Sequence, residues 1–506
     1  MPVTADDANE GGFRTRPGSF ETRSCMAKSL RTFLDDLNRQ RPGEVVHVTR
    51  PVNPARHDVS ALVTQLADRK QFPVLLFERP NDLYGNTSRV RLAMNCEVSM
   101  GKFQTALGVG PEMNRAELAL ECLKREANPI APTVVDRSEA PVKEVVRRGA
   151  EVDLFELPVM RHHALDGGPY IDMPSIGRDR NNGVYNVSYH RMEVKDRNHT
   201  GFYLSLQHMW RIFRDYEDNG EECPVAAVTG HHPAFNIGAC YRGPFEADEL
   251  EIIGGYLQEP LRLTPSETFG ERLMVPADAE VVIEGVLVPG QRVTEGPFGE
   301  VHGYVGPQGF RQAASLEVRA VTRRRDAIHQ SVITPDGDKP WMDLAREGAY
   351  LRRCREAVPG VTAVCKNGRH ALMNVFIAMK KMSEGDPGRA AAAALSFDQC
   401  KHVFIFDDDI DVYNPTEILW ALATRVQPHR QVSLITDLMR GPLIDPSMDD
   451  GILTSAMIVD ATRPLDRPFS PVSKCPDEAL KRIRLDDYLP REVVDAIPVD
   501  RTTYWA

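Results

Sequence analysis

Apolar residues recur at helical spacing near the start of the chain. Leu30, Phe33, Leu34 and Leu37 occupy i, i+3, i+4 and i+7, which predicts one buried face of an amphipathic helix. Arg41-Pro42-Gly43 ends it. Val59, Leu62, Val63 and Leu66 repeat the spacing. The runs EVVHV (44–48), PVLLFE (73–78) and VRLAMN (90–95) read as strands, and ELALECLKRE (117–126) as a helix. The first hundred or so residues therefore alternate helix and strand.

From about 130 to 330 the pattern changes to short β-rich runs separated by turn residues. They are GVYNVSYHRMEV (183–194), GFYLSL (201–206), VAAVTG (225–230), VVIEGVLV (281–288) and LEVRAVT (316–322). This spacing predicts a barrel or sandwich. ITPDGDKP (333–340) marks a boundary, with Asp338 as a cap and Pro340 in the first turn of the next helix. WMDLAREGAYLRRCRE, the strand HVFIF (402–406), the helix EILWALATR (417–425) and the strand QVSLI (431–435) then describe a second α/β region. The chain is thus predicted to be a mixed α+β and α/β multidomain protein.

Composition narrows the classes. The 506 residues are 42% hydrophobic and 26% charged, as in a globular chain of two to four domains. The net charge of −11 argues against a general nucleic-acid binder. No apolar run reaches the roughly 20 residues of a membrane span. The N-terminus is polar and lacks an apolar signal core, so residues 1–24 are expected to be a disordered tail. The nine cysteines are scattered singly with no C-x-x-C pair. That predicts reduced thiols in the cytoplasm and unglycosylated N-x-S/T matches at Asn86, Asn186 and Asn198.

The chain has no G-x-x-x-x-G-K-[ST] loop, no complete dinucleotide fingerprint after Gly108-Val109-Gly110, no G-x-S-x-G elbow and no H-E-x-x-H helix. Eight of the 14 histidines fall between His162 and His302, so a site is expected there. In NVSYHR, alternation puts Asn186, Ser188 and His190 on one strand face and Val187, Tyr189 and Arg191 on the other. Gln207 and His208 follow in LQHMW, then Glu249 and Glu251 at a helix start. Each has an ordinary reading as a strand, core or helix-dipole residue. EGPFGEVHGY (295–304) sets Glu295, Glu300 and His302 around Gly296, Pro297 and Gly299, which exclude a regular helix. By itself this reads first as a solvated loop. The acids Asp407, Asp408, Asp409 and Asp411 end a strand and form a second candidate cluster.

Taken in order, DGGPYI (166–171), NVSYHR, LQHMW, VPADAEVVIEG (275–285), EGPFGEVHGY and IFDDDIDVYNPTEILWALATR (405–425) resemble the successive motifs of the UbiD family of decarboxylases, from about residue 30 to about 470. The resemblance implies an N-terminal α/β segment (25–130) and a central split β-barrel domain binding prenylated FMN (131–335). It also implies a C-terminal α/β oligomerisation domain (336–475) and a C-terminal helix or tail (476–506). Asn186, His208 and Glu249 would hold Mn²⁺ or Mg²⁺ against the flavin phosphate, with Glu251 as the alternative acid. Val187, Ser188, Tyr189, His190, Arg191 and Gln207 would line the cofactor, and backbone carbonyls would hold K⁺. Glu295, Arg191 and Glu300 would form a Glu–Arg–Glu catalytic network. The implied partners are an aromatic or heteroaromatic acid and CO₂, a flavin prenyltransferase as cofactor supplier, and further copies of the chain in a homodimer or hexamer.

The implied chemistry suits the residue types. An amide oxygen, an imidazole and a carboxylate make a mixed donor set for a six-coordinate divalent ion. Direct loss of CO₂ from an aromatic ring leaves a carbanion that no side chain can delocalise, so a cofactor must act as electron sink. Glu300 is the expected proton donor, with a pKa expected near working pH. The family's phosphate lysine has Lys401 as its nearest counterpart here. Two other readings stay open: a Mn²⁺- or Mg²⁺-dependent transferase or hydrolase built on DDDID, and a non-catalytic assembly subunit of the same fold. RHH (161–163) and HH (231–232) have no metal-ligand spacing.

Overall fold

The computed structural model describes residues 27–305, 309–333, 339–366, 373–397, 400–440, 445–447, 453–473 and 475–496. The expected tail over 1–24 and the Asp338 cap lie outside them. Helix α1 (Leu30–Gln40) buries Leu30, Phe33, Leu34 and Leu37, the face its spacing predicts. Ser29 and Thr32 close a capping box at its start, which satisfies two otherwise orphaned N–H donors. Next come β1 (Val45–Val48), α2 (Asp58–Asp68), β2 (Val74–Phe77), β3 (Arg91–Met94), α3 (Met100–Leu107) and α4 (Arg115–Glu126). Strand β2 pairs parallel with β1 and antiparallel with β3. In α2 the buried face is Val59, Ser60, Val63 and Ala67. Leu62, expected inside, is exposed, because the helix is rotated so that small side chains face the sheet.

The middle of the chain contributes β4 (Thr133–Val134), β5 (Val145–Arg148), β6 (Tyr170–Arg178), β7 (Tyr185–Val194) and β8 (His199–Phe202). It continues with α5 (His208–Asp218), β9 (Cys223–Thr229), α6 (Pro233–Gly238), α7 (Glu249–Leu257), β10 (Arg262–Ser266), β11 (Gly270–Pro276), β12 (Val281–Glu295), β13 (Arg311–Arg323) and β14 (Ile328–Gln330). Six of these strands, in the order β12-β9-β6-β7-β8-β13, form a barrel that closes through β12–β13 pairing. Strand β14 returns to pair parallel with β3, so the N-terminal sheet is completed by chain from beyond the barrel. GFYLSL is not one strand: β8 ends at Phe202, and the chain then turns out with Leu206 exposed. Conversely, β12 runs past its predicted end, with register shifts between Glu284 and Gly285 and between Leu287 and Arg292, and Glu295 is its last residue.

The last region comprises α8 (Lys339–Ala357), β15 (Val361–Cys365), β16 (Asn374–Met379), α9 (Asp386–Leu395), β17 (His402–Asp407), α10 (Pro415–Arg425) and α11 (Pro428–Gln431). It ends with β18 (Val432–Arg440), β19 (Leu453–Ala461), α12 (Asp477–Arg482) and α13 (Arg491–Ala496). Its sheet has the order β15-β16-β17-β19-β18, with parallel pairing at β16–β17 and β17–β19. Helix α8 is tied back to α4 by Arg115–Glu347 and Arg352–Glu126 ion pairs at 2.6 and 2.9 Å. No helix among the described residues is long and apolar enough to cross a membrane.

Candidate active site at strand β7

Strand β7 carries Arg191 near its C-terminal end, and β12 ends at Glu295 beside it. Arg191 Nε donates to Glu295 Oε1 at 2.8 Å and Nη2 to Oε2 at 3.0 Å, a two-point fork that fixes both planes. Its Nη1 donates to Glu300 Oε1. The loop between the two glutamates makes this possible. Gly296 has φ +100°, a region that favours glycine, and a Cβ at Gly299 would lie 2.2 Å from His163 Nδ1. The triple is deeply buried, at 7%, 0% and 7% exposure for Arg191, Glu295 and Glu300. Burial works against the guanidinium charge, but Glu300 and Glu295 outweigh it and hold Arg191 above the ordinary arginine range. The guanidinium also stacks over Tyr203 and Phe298, 4.2 and 4.9 Å from the ring centroids, in cation–π contact.

A second group forms toward the start of β7. Asn186 Nδ2 lies 2.9 Å from both oxygens of Glu249, and Val187 N donates to Glu249 Oε2 at 2.6 Å. His208 Nδ1 lies 3.4 Å from Glu249 Oε1, with its ring held edge-on to Phe245. Asp248 caps α7, and this places Glu249 in the first turn, facing inward. Glu251, the alternative acid, points instead to an outer groove with Asn182 and Glu246. Burial is the main influence on Glu249 and raises its pKa, although His208, Val187 N and Asn186 all oppose it. Its hydrogen-bond partners are an amide, a backbone N–H and an imidazole. A buried carboxylate so placed is favoured by a bound cation. Among the described residues no cluster of three or more His, Cys, Asp or Glu side chains is arranged for a metal; this set joins two of those types to an amide.

The other expected residues sit around these groups. Ser188 Oγ donates to Asn186 Oδ1 at 3.0 Å, Tyr189 is half-buried, and His190 stacks on Phe202 at 4.7 Å. Gln207 precedes α5 and its amide oxygen accepts from Arg242. His302 is buried, and its Nδ1 accepts from Tyr304 N at 3.1 Å. Lys401 is drawn away from β7, its Nζ 2.6 Å from Asp445 Oδ2. The acids of DDDID are also engaged: Arg425 Nη1 reaches Asp407 at 2.9 Å and Asp409 at 3.0 Å, and Arg463 also binds Asp407.

Composition and spacing gave no role to several residues that frame the acid loop. Asp166 Oδ1 accepts from Gly299 N at 2.9 Å, and its Oδ2 accepts from His162 N and His163 N. Glu193 Oε2 accepts from Gly296 N at 2.8 Å. Tyr170 lies against Phe298, with ring centroids 4.6 Å apart. The one available signal was positional: Asp166 and Tyr170 stand in DGGPYI, and Glu193 lies two residues beyond Arg191, on the same strand face.

Comparison with known proteins places the chain in a family. Residues 133–337 match the 3-octaprenyl-4-hydroxybenzoate carboxy-lyase Rift-related domain, and 341–461 match the C-terminal domain of the same carboxy-lyases. The phenolic acid decarboxylase of Sedimentibacter hydroxybenzoicus is 30% identical over 87% of this chain and 92% of its own. The anhydromevalonate phosphate decarboxylase of Methanothermobacter thermautotrophicus is 33% identical over 63% of this chain and 75% of its own. The UbiD-class enzyme HmfF of Pelotomaculum thermopropionicum, solved in complex with FMN, superposes with a TM-score of 0.81 at 34% identity, covering 91% of this chain and 100% of HmfF. An evolved dimeric form of HmfF with prenylated FMN gives 0.78 at 33% identity, covering 92% and 100%. The chain belongs to the UbiD family of carboxy-lyases.

Proposed function

We propose that this protein removes CO₂ reversibly from an aromatic or heteroaromatic acid, using prenylated FMN. The observation that carries the reading is the buried Glu295–Arg191–Glu300 triple. One guanidinium serves two carboxylates in a water-poor site, which is an arrangement for holding and delivering a proton. Phenolic acid decarboxylases among the relatives favour an aromatic substrate. The metal-type group fits the cofactor's anionic end: Asn186, His208 and Glu249 would hold Mn²⁺ or Mg²⁺ against its phosphate, with potassium bound by backbone carbonyls nearby.

A bound prenylated flavin supplies the electron sink for the pair left when CO₂ departs. The chain's own residues orient the acid, exclude water and move the proton. Arg191 stays cationic and keeps Glu295 fixed through its two-point fork. Glu300, held at a single oxygen, has its other oxygen available to protonate the carbon from which CO₂ leaves. Overall, the carboxylate carbon leaves as CO₂ and the ring carbon takes one proton, which solvent returns to Glu300.

The described cysteines are all free thiols, which supports a reducing cytoplasmic setting. A flavin prenyltransferase would supply the cofactor. The C-terminal arm exposes Leu480, Ile483, Tyr488, Leu489 and Val493, an apolar surface that a further copy of the chain in a dimer or hexamer would cover. The deciding experiment loads the protein with prenylated flavin and manganese and assays CO₂ release from phenolic, furan, pyrrole and indole carboxylic acids. Release from at least one is expected. Flavin-loaded protein inert toward the whole panel would refute the reading.

A further inference from the structure

The acid loop has to present Glu300 to Arg191, yet its sequence contains two glycines and its own backbone bonds are few. What holds it comes from the opposite side. Gly296 N and Gly299 N are buried donors facing two carboxylates that the proton chemistry does not use. Glu193 Oε2 takes the first at 2.8 Å and Asp166 Oδ1 the second at 2.9 Å. These grips bracket Pro297 and Phe298, and Glu295 and Glu300 stand immediately outside them. Two further bonds fall between: Gly167 N donates to Pro297 O at 2.8 Å, and Tyr170 OH reaches the same oxygen at 3.2 Å.

Both carboxylates are neutralised locally. Glu193 Oε2 lies 2.8 Å from Lys195 Nζ and 3.2 Å from Tyr170 OH. Asp166 accepts from three backbone N–H groups, at 2.8, 2.9 and 3.0 Å. Neither is paired with Arg191, whose hydrogen bonds go to Glu295 and Glu300. The two pairs of acids therefore divide the work: one pair binds backbone and the other binds the guanidinium.

We propose that Asp166 and Glu193 are positioning residues, a pair of buried carboxylate clamps that fix the loop 296–299 and so set the place of the Glu300 carboxyl. The inference rests on the assignment of Glu300 as proton donor and extends it to residues that hold the loop backbone rather than the guanidinium. The chemistry predicts an asymmetry between the two clamps. Asp166 uses both oxygens as acceptors, so Asp166→Asn turns an NH₂ toward a backbone N–H on one side or the other. Glu193 meets Gly296 N and Tyr170 OH through one oxygen, so Glu193→Gln keeps that acceptor, whereas Glu193→Ala does not.

The test uses full-length protein loaded with prenylated flavin and manganese. In Asp166→Asn, turnover should fall about tenfold to a hundredfold, the scale of a misplaced catalytic group. KM should stay within about twofold, flavin and metal content should be retained, and the acid limb of the kcat–pH profile should move. Hydrogen exchange over 293–305 should accelerate while the strands β6 and β9 and the Val281–Leu287 part of β12 keep their protection. Parental turnover and pH profile, or exchange unchanged over 293–305, overturns the proposal. Should Asp166→Asn not accumulate as folded protein, Glu193→Ala against Glu193→Gln decides it: impaired turnover in the first with recovery in the second supports the clamp, and equal behaviour overturns it. The exchange measurement needs no turnover. If the parent decarboxylates nothing, the functional reading fails, while the clamp is still judged by exchange.

Discussion

Arg191 grips Glu295 at both carboxylate oxygens but Glu300 at only one. The two acids are therefore not equivalent. Glu295 is locked in plane with the guanidinium, and it is the more buried of the two. Glu300 sits on a loop and keeps one oxygen out of the fork. In the proposed mechanism this asymmetry would give Glu295 the orienting part and Glu300 the proton delivery.

Glu300→Gln should lower turnover by at least about a hundredfold, because an amide neither donates nor recovers the proton. Flavin absorbance and metal content should match the parent. CO₂ release in single-turnover assays measures this, and near-parental rates would remove Glu300 from the mechanism.

Replacing His208 with alanine should cost metal and flavin together. Asn186 and Glu249 would be left as a two-member donor set. Metal analysis and the flavin absorbance of purified His208→Ala give the answer. Full retention of both would place the ion elsewhere.

Acid stability should depend on His329. Burial pushes its pKa down from 6.5 to about 4, with His162 adding to the effect, while its Nδ1 lies 3.0 Å from Thr229 Oγ1. The folded state therefore resists a proton that the unfolded chain accepts. Stability is complete above pH 6.5 and falls as pH drops toward 4, by roughly 3 kcal/mol from this residue. His329→Gln should be somewhat less stable than the parent at pH 7 and should gain on it steadily below pH 6. Unfolding temperatures of both proteins across pH 4.5–8 test this, and a gap independent of pH would contradict it.

Asp407→Asn should destabilise the C-terminal region by about 1–3 kcal/mol, since Arg425 and Arg463 both lean on that carboxylate. Decarboxylation per folded molecule should stay within about twofold. If instead turnover collapsed with stability intact, chemistry at DDDID would regain its standing.

The proposed pairing through the exposed apolar residues between Leu480 and Val493 predicts that removing residues 476–506 yields a smaller species in light scattering than the full chain. An unchanged particle mass would show that the apolar arm has another role.

Much of the fold was legible where one element decides its own form. The face of α1 follows from four apolar residues and a serine cap, all within one stretch of chain. The strand NVSYHR and the ordered series of motifs identified the family and led to Arg191, Glu295, Glu300, Asn186, His208 and Glu249, which the structure gathers into two groups. The motif pointed to Glu249 with Glu251 as the alternative; in α7, capped by Asp248, Glu249 turns inward and Glu251 lines an outer groove.

What the chain alone determined is the periodicity of its elements and the residue types that chemistry at β7 would need. Tertiary structure decided how they are held. Leu62 faces solvent because the docking of α2 rotates it away from its apparent stripe, and Lys401 is claimed by Asp445, a partner 44 residues away. Asp166 and Glu193 reach the acid loop across 133 and 103 residues. Local patterning reports a side chain's preference for burial or for a helix, which is a property of neighbours in sequence. A hydrogen bond between a carboxylate and a distant glycine N–H exists only after barrel closure brings β6, β7 and the end of β12 together, and no periodicity in the chain records it.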